Sequence, residues 1–264
     1  LITYARNLGR PALVRASAVE AVDAISAADA EALLKDNDAG VRSAAAGALR
    51  NLDVQQRIEL LRPLLKDPSR TVRQKAAVEL VAAGVAALPA ADDKLLRDGL
   101  QAFLDARMAN ADSPESHMAM GGLALGRRQW PEAEAAFSAA VEIDPQLAPG
   151  WIMLAQLREA RGDVAGTDSA LTAAVAALPR NPDILLARAG FELRQNRPQD
   201  ALAWYKRTLA LDPKSAETWL GISIASYILG DTAQAKDAAS QARTLSPGLQ
   251  LPRELSDLLA PSGG

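Results

Sequence analysis

The chain has 264 residues, of which 49% are hydrophobic and only 4% aromatic, and its formal net charge is −3. It contains no cysteine, which excludes disulfides, thiolate metal sites and cysteine nucleophiles within this sequence. The charge pattern shows no basic stripe of the kind that binds nucleic acid, and no run of 18 apolar residues offers a membrane span. Alanine supplies much of the hydrophobic content, and because it is the best helix former the composition predicts an all-α protein.

The first predicted element is a helix over 1–8, where apolar residues follow the opening Leu1. No signal peptide is visible. Repeat arrays need polar caps to stay soluble, so an uncapped apolar helix is an unusual beginning. We therefore expect the chain to be the C-terminal region of a longer protein, and an excess of arginine over lysine favours a GC-rich bacterial source.

A Val-Arg pair recurs through the N-terminal part. Val41-Arg42 and Val72-Arg73 lie 31 residues apart, each after an acidic turn, and Val14-Arg15 precedes them at a shorter spacing. Alanine follows three residues after each arginine and a larger apolar residue follows seven after, which is the spacing of a buried helix face. The pattern predicts helices over 12–24, 39–50, 54–65 and 69–83, a linker over 84–91 and a long helix over 93–109.

The segment 67–76 reads Asp-Pro-x-x-x-Val-Arg-x-x-Ala, and in this it resembles HEAT repeats. The resemblance covers residues 10–84. It implies HEAT-like helical repeats over 1–91, followed by a connecting helix over 92–113.

Four prolines of the C-terminal part recur at a spacing of 34 residues: Pro145, Pro179, Pro213 and Pro247. Proline lacks an amide hydrogen and pushes the preceding residue out of the α region, so each proline predicts a helix end. Gly162, Asn196 and Gly230 share a turn position that favours left-handed backbone. The period and these residues resemble the tetratricopeptide family. The resemblance implies units at 114–147, 148–181, 182–215 and 216–249, then a capping helix and tail over 250–264, with the helix at 251–259.

Two residues depart from the tetratricopeptide pattern. Arg188 stands where a large apolar residue is usual, and Ala239 replaces a bulky residue. We expect looser packing near the C-terminal end for this reason. Taken together, the repeats predict an α–α superhelix, a right-handed solenoid in which a HEAT-like array precedes a tetratricopeptide array.

The family resemblance implies that the first helix of each tetratricopeptide unit faces a concave groove. The chaperone-binding subclass carries lysine, asparagine and arginine there to clamp a peptide carboxylate, and this chain lacks that set. The groove is instead apolar in its middle, with an acidic lip at Glu115, Asp183 and Glu217. The predicted partner-binding residues are Met118, Leu125, Ile152, Gln156, Leu186, Leu193, Leu220, Ile224 and Tyr227.

An exposed apolar stripe of this size is normally covered by something. The expected occupants are an amphipathic helix of a partner, the chain's own closing helix, or the upstream region of the same polypeptide. The alternative is that tight closure of the superhelix buries the stripe within the array.

A ladder of Arg15, Arg42 and Arg73 offers a second candidate site, a groove for an anion or an acidic partner. The alternative interpretation is that each arginine pairs with a turn aspartate such as Asp36 or Asp67. The repeat spacing favours pairing, because it explains the arginines without a ligand.

No residue pattern points to catalysis, a cofactor or a metal site. His117 is the only histidine and occupies a packing position, where no serine or carboxylate pattern marks it as a base. Trp151 and Trp219 also fall on a packing position, whereas Trp130 lies in a predicted turn and is expected to be exposed. We expect a protein that is not an enzyme.

The sequence therefore predicts a protein–protein interaction scaffold that binds a peptide or helix in an apolar concave groove. A second hypothesis follows from the order of the repeats and from residues 61–73, which read Leu-x-x-Leu-x-x-Asp-Pro-Ser-x-x-Val-Arg. In this the chain is similar to the C-terminal part of some bacterial multihaem cytochrome-c-like proteins, of which it would be a non-catalytic accessory region. Cytoplasm and periplasm both suit the composition, and the second hypothesis favours the periplasm.

Overall fold

The computed structural model of the chain describes residues 1–85 and 88–259. Every regular element among these residues is a helix, which confirms the predicted all-α fold. By compactness the chain divides into a first unit, Leu1–Ala136, and a second unit, Phe137–Gly264. This division differs from the predicted division into repeat arrays, and the limits of those arrays stay a prediction.

The described part of the first unit contains eight complete α-helices and two 3-10 helices. The α-helices are α1 (Ile2–Ala5), α2 (Ala12–Glu20), α3 (Ala27–Leu34), α4 (Ala39–Gly47), α5 (Val54–Leu61), α6 (Arg70–Ala82), α7 (Ala90–Met108) and α8 (Pro114–Gly126). The 3-10 helices Leu49–Asn51 and Arg62–Lys66 follow α4 and α5. They pack around a core of leucine, valine and alanine side chains that are fully buried.

The starts of these helices agree with the sequence pattern better than their ends. The helices α2 and α4 end at Glu20 and Gly47, before the predicted 24 and 50. The helix α5 gives way to a 3-10 turn at Arg62, because Pro63 has no amide hydrogen for an α-helical bond. The pattern does not predict α3, which Ser26 caps by accepting a 3.1 Å hydrogen bond from the Asp29 amide.

The predicted linker over 84–91 is wrong at its C-terminal end. The helix α7 begins at Ala90, directly after Pro89, whose φ of −51° suits the residue before a helix. Residues 86 and 87 of the linker lie outside the described residues.

The second unit is built from pairs of helices of similar length. The helix α9 (Trp130–Ile143) begins in the first unit, and the others are α10 (Ala148–Ala160), α11 (Val164–Ala177), α12 (Pro182–Arg194), α13 (Pro198–Leu211), α14 (Ala216–Ile228), α15 (Thr232–Leu245) and α16 (Arg253–Leu259). The first helices of three pairs, α10, α12 and α14, begin 34 residues apart. Helix α16 lies where the closing helix is predicted and buries Leu255, while the predicted tail beyond residue 259 lies outside the described residues.

The turns inside the pairs explain the shared glycine and asparagine position. Gly162, Asn196 and Gly230 have φ angles of 76°, 57° and 80°, as predicted for residues that end a helix in the left-handed region. Arg128 has a φ of 58° and occupies the same position one repeat earlier. This backbone conformation is uncommon for a residue with a Cβ, so the glycine and asparagine pattern does not identify Arg128 as the residue that adopts it.

Two tryptophans tie successive helix pairs of the second unit together. The indole nitrogens of Trp151 and Trp219 donate to the carbonyls of Pro145 and Pro213, at 3.0 and 3.1 Å. Both rings are half-buried against core residues, which agrees with the predicted packing role. Trp130 is 40% exposed, as predicted.

The arginine ladder of the first unit is mainly paired within the fold. Arg15 donates to Asp36 at 2.5 and 3.0 Å, and Arg42 donates to both oxygens of Asp67 at 2.8 Å. These contacts confirm the pairing interpretation for two of the three arginines. The prediction is wrong for Arg73, which donates to the carbonyls of residues 67 and 68 at 2.6 and 2.9 Å because the next turn offers it no aspartate.

The paired aspartates make the first unit sensitive to acid. The hydrogen bond from Arg15 lowers the pKa of Asp36. Burial acts to raise the pKa of Asp67, but the hydrogen bonds from Arg42 and the Ser69 amide bring it below its usual value. A carboxyl group whose pKa is lower in the folded state than in the unfolded state stabilises the fold. This stabilisation is fully present when the pH is above the unfolded pKa of about 3.9. It is lost as the pH falls through the pKa of the folded state.

We therefore expect the melting temperature to fall as the pH is lowered from about 5 to about 2. We expect the Arg15→Gln variant to be less stable than the wild type at neutral pH. Its melting temperature should fall less than that of the wild type between about pH 5 and about pH 2, because Arg15 no longer lowers the pKa of Asp36. Calorimetry across the pH series measures both slopes. An equal or steeper loss in Arg15→Gln contradicts this origin of the acid sensitivity.

Arg188 corrects the prediction of looser packing near the C-terminal end. Its guanidinium lies 2.6 Å from Glu192 and 2.9 Å from Asp168, and the Arg188 side chain is only 13% exposed. Glu192 is 3% exposed and also lies 2.7 Å from Arg197 Nε. A buried ion cluster therefore replaces the large apolar side chain, and Ala239, the other departure, is fully buried.

Candidate functional site

A cavity of about 410 Å³ opens on the second unit between the first helices of successive pairs. Ile152 and Gln156 of α10 line it together with Leu186 of α12. Its floor is apolar, with Ala155 and Leu171 between the larger side chains. The helices α10 and α12 therefore bring three of the predicted groove residues to one recess.

Two of the three residues of the predicted acidic lip also line this cavity, whereas Glu115 lies on α8 of the first unit. Asp183 at the start of α12 and Glu217 at the start of α14 both line it, as does Glu159 near the end of α10. Three carboxylates and the guanidinium of Arg194 give the lining a net charge of −2. The cavity thus combines an apolar floor with a predominantly negative rim.

Other predicted groove residues lie outside this cavity. Leu193 packs half-buried against the core cluster that contains Tyr205 and Ile222. Leu220 and Ile224 are half-buried on α14, and Tyr227 is 40% exposed. Met118 and Leu125 are half-buried on α8, in the first unit.

An ion pair at the rim of the cavity is absent from the sequence prediction. Arg194 Nε and Nη2 donate to the two oxygens of Glu159 at 2.7 and 2.8 Å, joining α12 to α10. Glu159 raises the pKa of Arg194 further by accepting these bonds. The two residues lie 35 positions apart, so a search for charges one repeat plus one residue apart would have found the pair.

Tyr205 of α13 is a further cavity residue that the pattern misses as part of the site. Burial raises its pKa to about 12, so its hydroxyl stays protonated at neutral pH and can donate a hydrogen bond. Gly221 makes room for the ring, because a Cβ at residue 221 would collide with the Tyr205 ring. The tyrosine thus reaches the cavity only because the facing helix carries glycine.

The single histidine of the sequence makes a contact within the fold. His117 Nε2 lies 2.8 Å from the carbonyl oxygen of Ala111, a contact that fits its structural interpretation. Among the side chains in 1–85 and 88–259, no three of His, Asp or Glu gather as they would around a metal ion. Over the same ranges we find no helix whose length and hydrophobicity would suit a bilayer span.

Comparisons with known protein families match both predicted repeat types. Residues 27–111 match the family model of HEAT repeats, and residues 182–225 match a model of the tetratricopeptide repeat. No curated protein sequence matches the chain. The two matched segments fall in the predicted N-terminal and C-terminal parts of the chain.

Solved structures show the same fold at low sequence identity. The structure of PilW, described as a widely conserved type IV pilus biogenesis factor, is 18% identical with a TM-score of 0.54; the match covers 85% of this chain and all of that one. PilF of Pseudomonas aeruginosa is 17% identical with a TM-score of 0.50, and the match covers 80% of this chain and 91% of that one.

Repeats of both families stack into extended surfaces that bind other proteins and are in general scaffolds, not catalysts. The chain is accordingly an all-α repeat protein whose residues 27–111 match HEAT repeats and whose residues 182–225 match the tetratricopeptide repeat, and these matches support a protein–protein interaction scaffold.

Proposed function

We propose that the second unit binds an amphipathic segment of a partner protein in the groove centred on the 410 Å³ cavity. The observation that carries this proposal is the convergence of Ile152, Gln156 and Leu186 on one recess. Apolar side chains that neighbouring helices present to one recess can receive an apolar helix face or an extended peptide.

The carboxylates at the cavity favour a partner segment that carries basic residues next to its apolar ones. Asp183 and Glu217 offer carboxylates beside the apolar floor, and Glu159 is already engaged by Arg194. A lysine or arginine next to an apolar anchor would therefore find an acceptor at the rim. Tyr205 and Gln156 supply polar groups that orient the segment inside the recess.

The closing helix does not fill this cavity. Within the described residues, none of the cavity-lining side chains belongs to α16, which packs on α15 and α14 through Leu255. This supports an external occupant over the chain's own C-terminal helix. The upstream region of the same polypeptide stays a candidate occupant.

The apolar floor is tested with the double variant Ile152→Asn plus Leu186→Asn. The probe is a fluorescein-labelled amphipathic peptide of leucine and lysine, with a leucine–glutamine peptide of the same spacing as its uncharged counterpart. We expect the leucine–lysine peptide to bind the wild type and to lose about tenfold or more in affinity on the double variant, since two apolar contacts are removed. Fluorescence anisotropy measures both affinities.

The control is Val164→Asn, which replaces a 46% exposed apolar residue on α11 outside the cavity and should leave binding unchanged. Asp183→Asn plus Glu217→Gln should weaken binding and reduce its salt dependence. Undiminished binding of the leucine–lysine peptide to the double variant would show that this groove is not the site, and equal binding of the leucine–glutamine peptide would remove the role of the acidic rim.

A further inference from the structure

The first unit carries a cavity of opposite charge, which the sequence pattern does not predict. It has a volume of about 660 Å³ and is floored by α6. Residues of α4 and α5 line one side, and residues of α7 and α8 line the other. We call it the basic cavity, because four cations line it: Arg50, Arg57, Lys75 and Arg107.

The cations of the basic cavity outnumber its carboxylates. Glu79 is the single acidic residue of its described lining and is 4% exposed. Lys75 Nζ lies 3.0 Å from the Glu79 carboxylate, but the guanidinium groups of Arg50 and Arg57 lie at 3.9 and 4.0 Å. The lining therefore has a net charge of +3, within a chain whose net charge is −3.

Two of these arginines have unused hydrogen-bonding capacity. The Nε atoms of Arg57 and Arg107 are buried without a hydrogen-bond partner in the described part of the chain. The Arg57 side chain is 13% exposed, and Arg107 lies over the Phe103 ring at 5.3 Å. Arg42 differs from these two arginines, because its guanidinium group already donates hydrogen bonds to both carboxylate oxygens of Asp67.

Part of the same lining is apolar. Val78, Phe103 and Leu123 line the same cavity, and Gly122 leaves space, since a Cβ there would meet nothing within 4 Å. A ligand that fits must place acidic groups beside the guanidinium groups and an apolar group against the Phe103 ring. Bidentate pairing with arginine is the geometry that a carboxylate provides.

We propose that the basic cavity binds an acidic segment of a partner protein, in which glutamate or aspartate flanks a bulky apolar residue. A volume of this size suits a short peptide segment with its side chains. A long polyanion fits less well, because it would lie along an extended surface and the acidic balance of the chain would repel it. This site is independent of the groove on the second unit and prefers the opposite charge.

Replacement of Glu79 distinguishes a binding site from a purely structural ion cluster. Its carboxylate neutralises part of the cationic lining and so competes with an incoming acidic group. The Glu79→Gln variant should be less stable, because three cations lose their shared partner. It should nevertheless bind an acidic peptide more tightly, by about threefold or more.

The experiment uses the full chain and a labelled peptide that alternates glutamate with leucine, with a glutamine–leucine peptide as its neutral counterpart. We expect the acidic peptide to bind at least about fivefold more tightly than the neutral one, and less tightly as salt is added. Arg107→Gln should lower the affinity about fivefold, since it removes a charge-assisted contact. Arg127→Gln removes an exposed arginine of the same unit outside the cavity and should leave the affinity unchanged.

Circular dichroism of each variant checks that the fold is intact. Gly122→Phe adds a steric test, because it fills the cavity without changing its charge and should abolish binding. Equal binding of the two peptides, no effect of Arg107→Gln, or weaker binding by Glu79→Gln overturns the proposal. Displacement of the peptide by equimolar inorganic phosphate or a short oligonucleotide also overturns it, in favour of a general anion site.

Discussion

Replacing Arg42 by leucine should lower the free energy of unfolding by about 3–5 kcal/mol, the cost of breaking a buried ion pair on one side. Arg42 and Asp67 are 12% and 6% exposed, and two hydrogen bonds of 2.8 Å join them. A third nitrogen of Arg42 donates to the carbonyls of residues 36 and 37 at 2.8 and 3.0 Å. The variant leaves a buried carboxylate and two carbonyls without these donors, and urea denaturation followed by circular dichroism measures the loss.

An exposed ion pair of the same unit serves as the control. Lys35 lies 2.7 Å from Glu31, but the two side chains are 73% and 58% exposed. Lys35→Gln should therefore cost about 0.5 kcal/mol or less. If Arg42→Leu costs no more than Lys35→Gln, the buried ladder does not stabilise the first unit.

The repeat architecture was predictable because helix ends have local chemical causes. A proline or a left-handed glycine stops a helix wherever it stands, so a period of such residues reveals a period of helices. The starts of α10, α12 and α14 follow that period. The pairing of Arg42 with Asp67 was also predictable from the repeat. A Val-Arg pair recurs in the HEAT-like repeats, and two of these pairs follow a turn that carries aspartate, as at Asp67.

The candidate sites were predictable only where they follow the repeat. Ile152 and Leu186 occupy one repeated position, and both reach the cavity. Glu159 and Arg194 lie one repeat plus one residue apart, so the pair does not fall on a shared repeat position and only a search at that offset finds it. The cations of the basic cavity come from several helices without a common spacing, so the sequence gives no sign that they converge.

The second functional hypothesis depends on residues that are not in this chain. A non-catalytic accessory region of a multihaem protein would be recognised by haem-attachment motifs upstream, and this sequence has no cysteine to form one. The hypothesis therefore stays a prediction, which the upstream reading frame tests.

Glu192→Leu should lower the free energy of unfolding of the protein by about 3–5 kcal/mol. Glu192 is 3% exposed and lies between the guanidinium groups of Arg188 and Arg197, at 2.6 and 2.7 Å. Without it, the only carboxylate left beside Arg188 among the described residues is that of Asp168, whose side chain is 45% exposed. A guanidinium that is itself 13% exposed then lacks its closest counter-charge, and urea denaturation measures the result.

The double variant Arg188→Leu plus Glu192→Leu separates loss of the charge pair from loss of packing. Leucine at residue 188 restores the large apolar side chain that tetratricopeptide repeats usually carry there, and replacement of both members of a buried pair is often neutral or stabilising. We expect the double variant to recover most of the stability that Glu192→Leu loses, with a coupling free energy of about 2 kcal/mol or more in the double-mutant cycle. Arg197 is 43% exposed and can turn to solvent in both backgrounds. If the double variant is no more stable than Glu192→Leu, two leucine side chains cannot replace the packing of the charged pair.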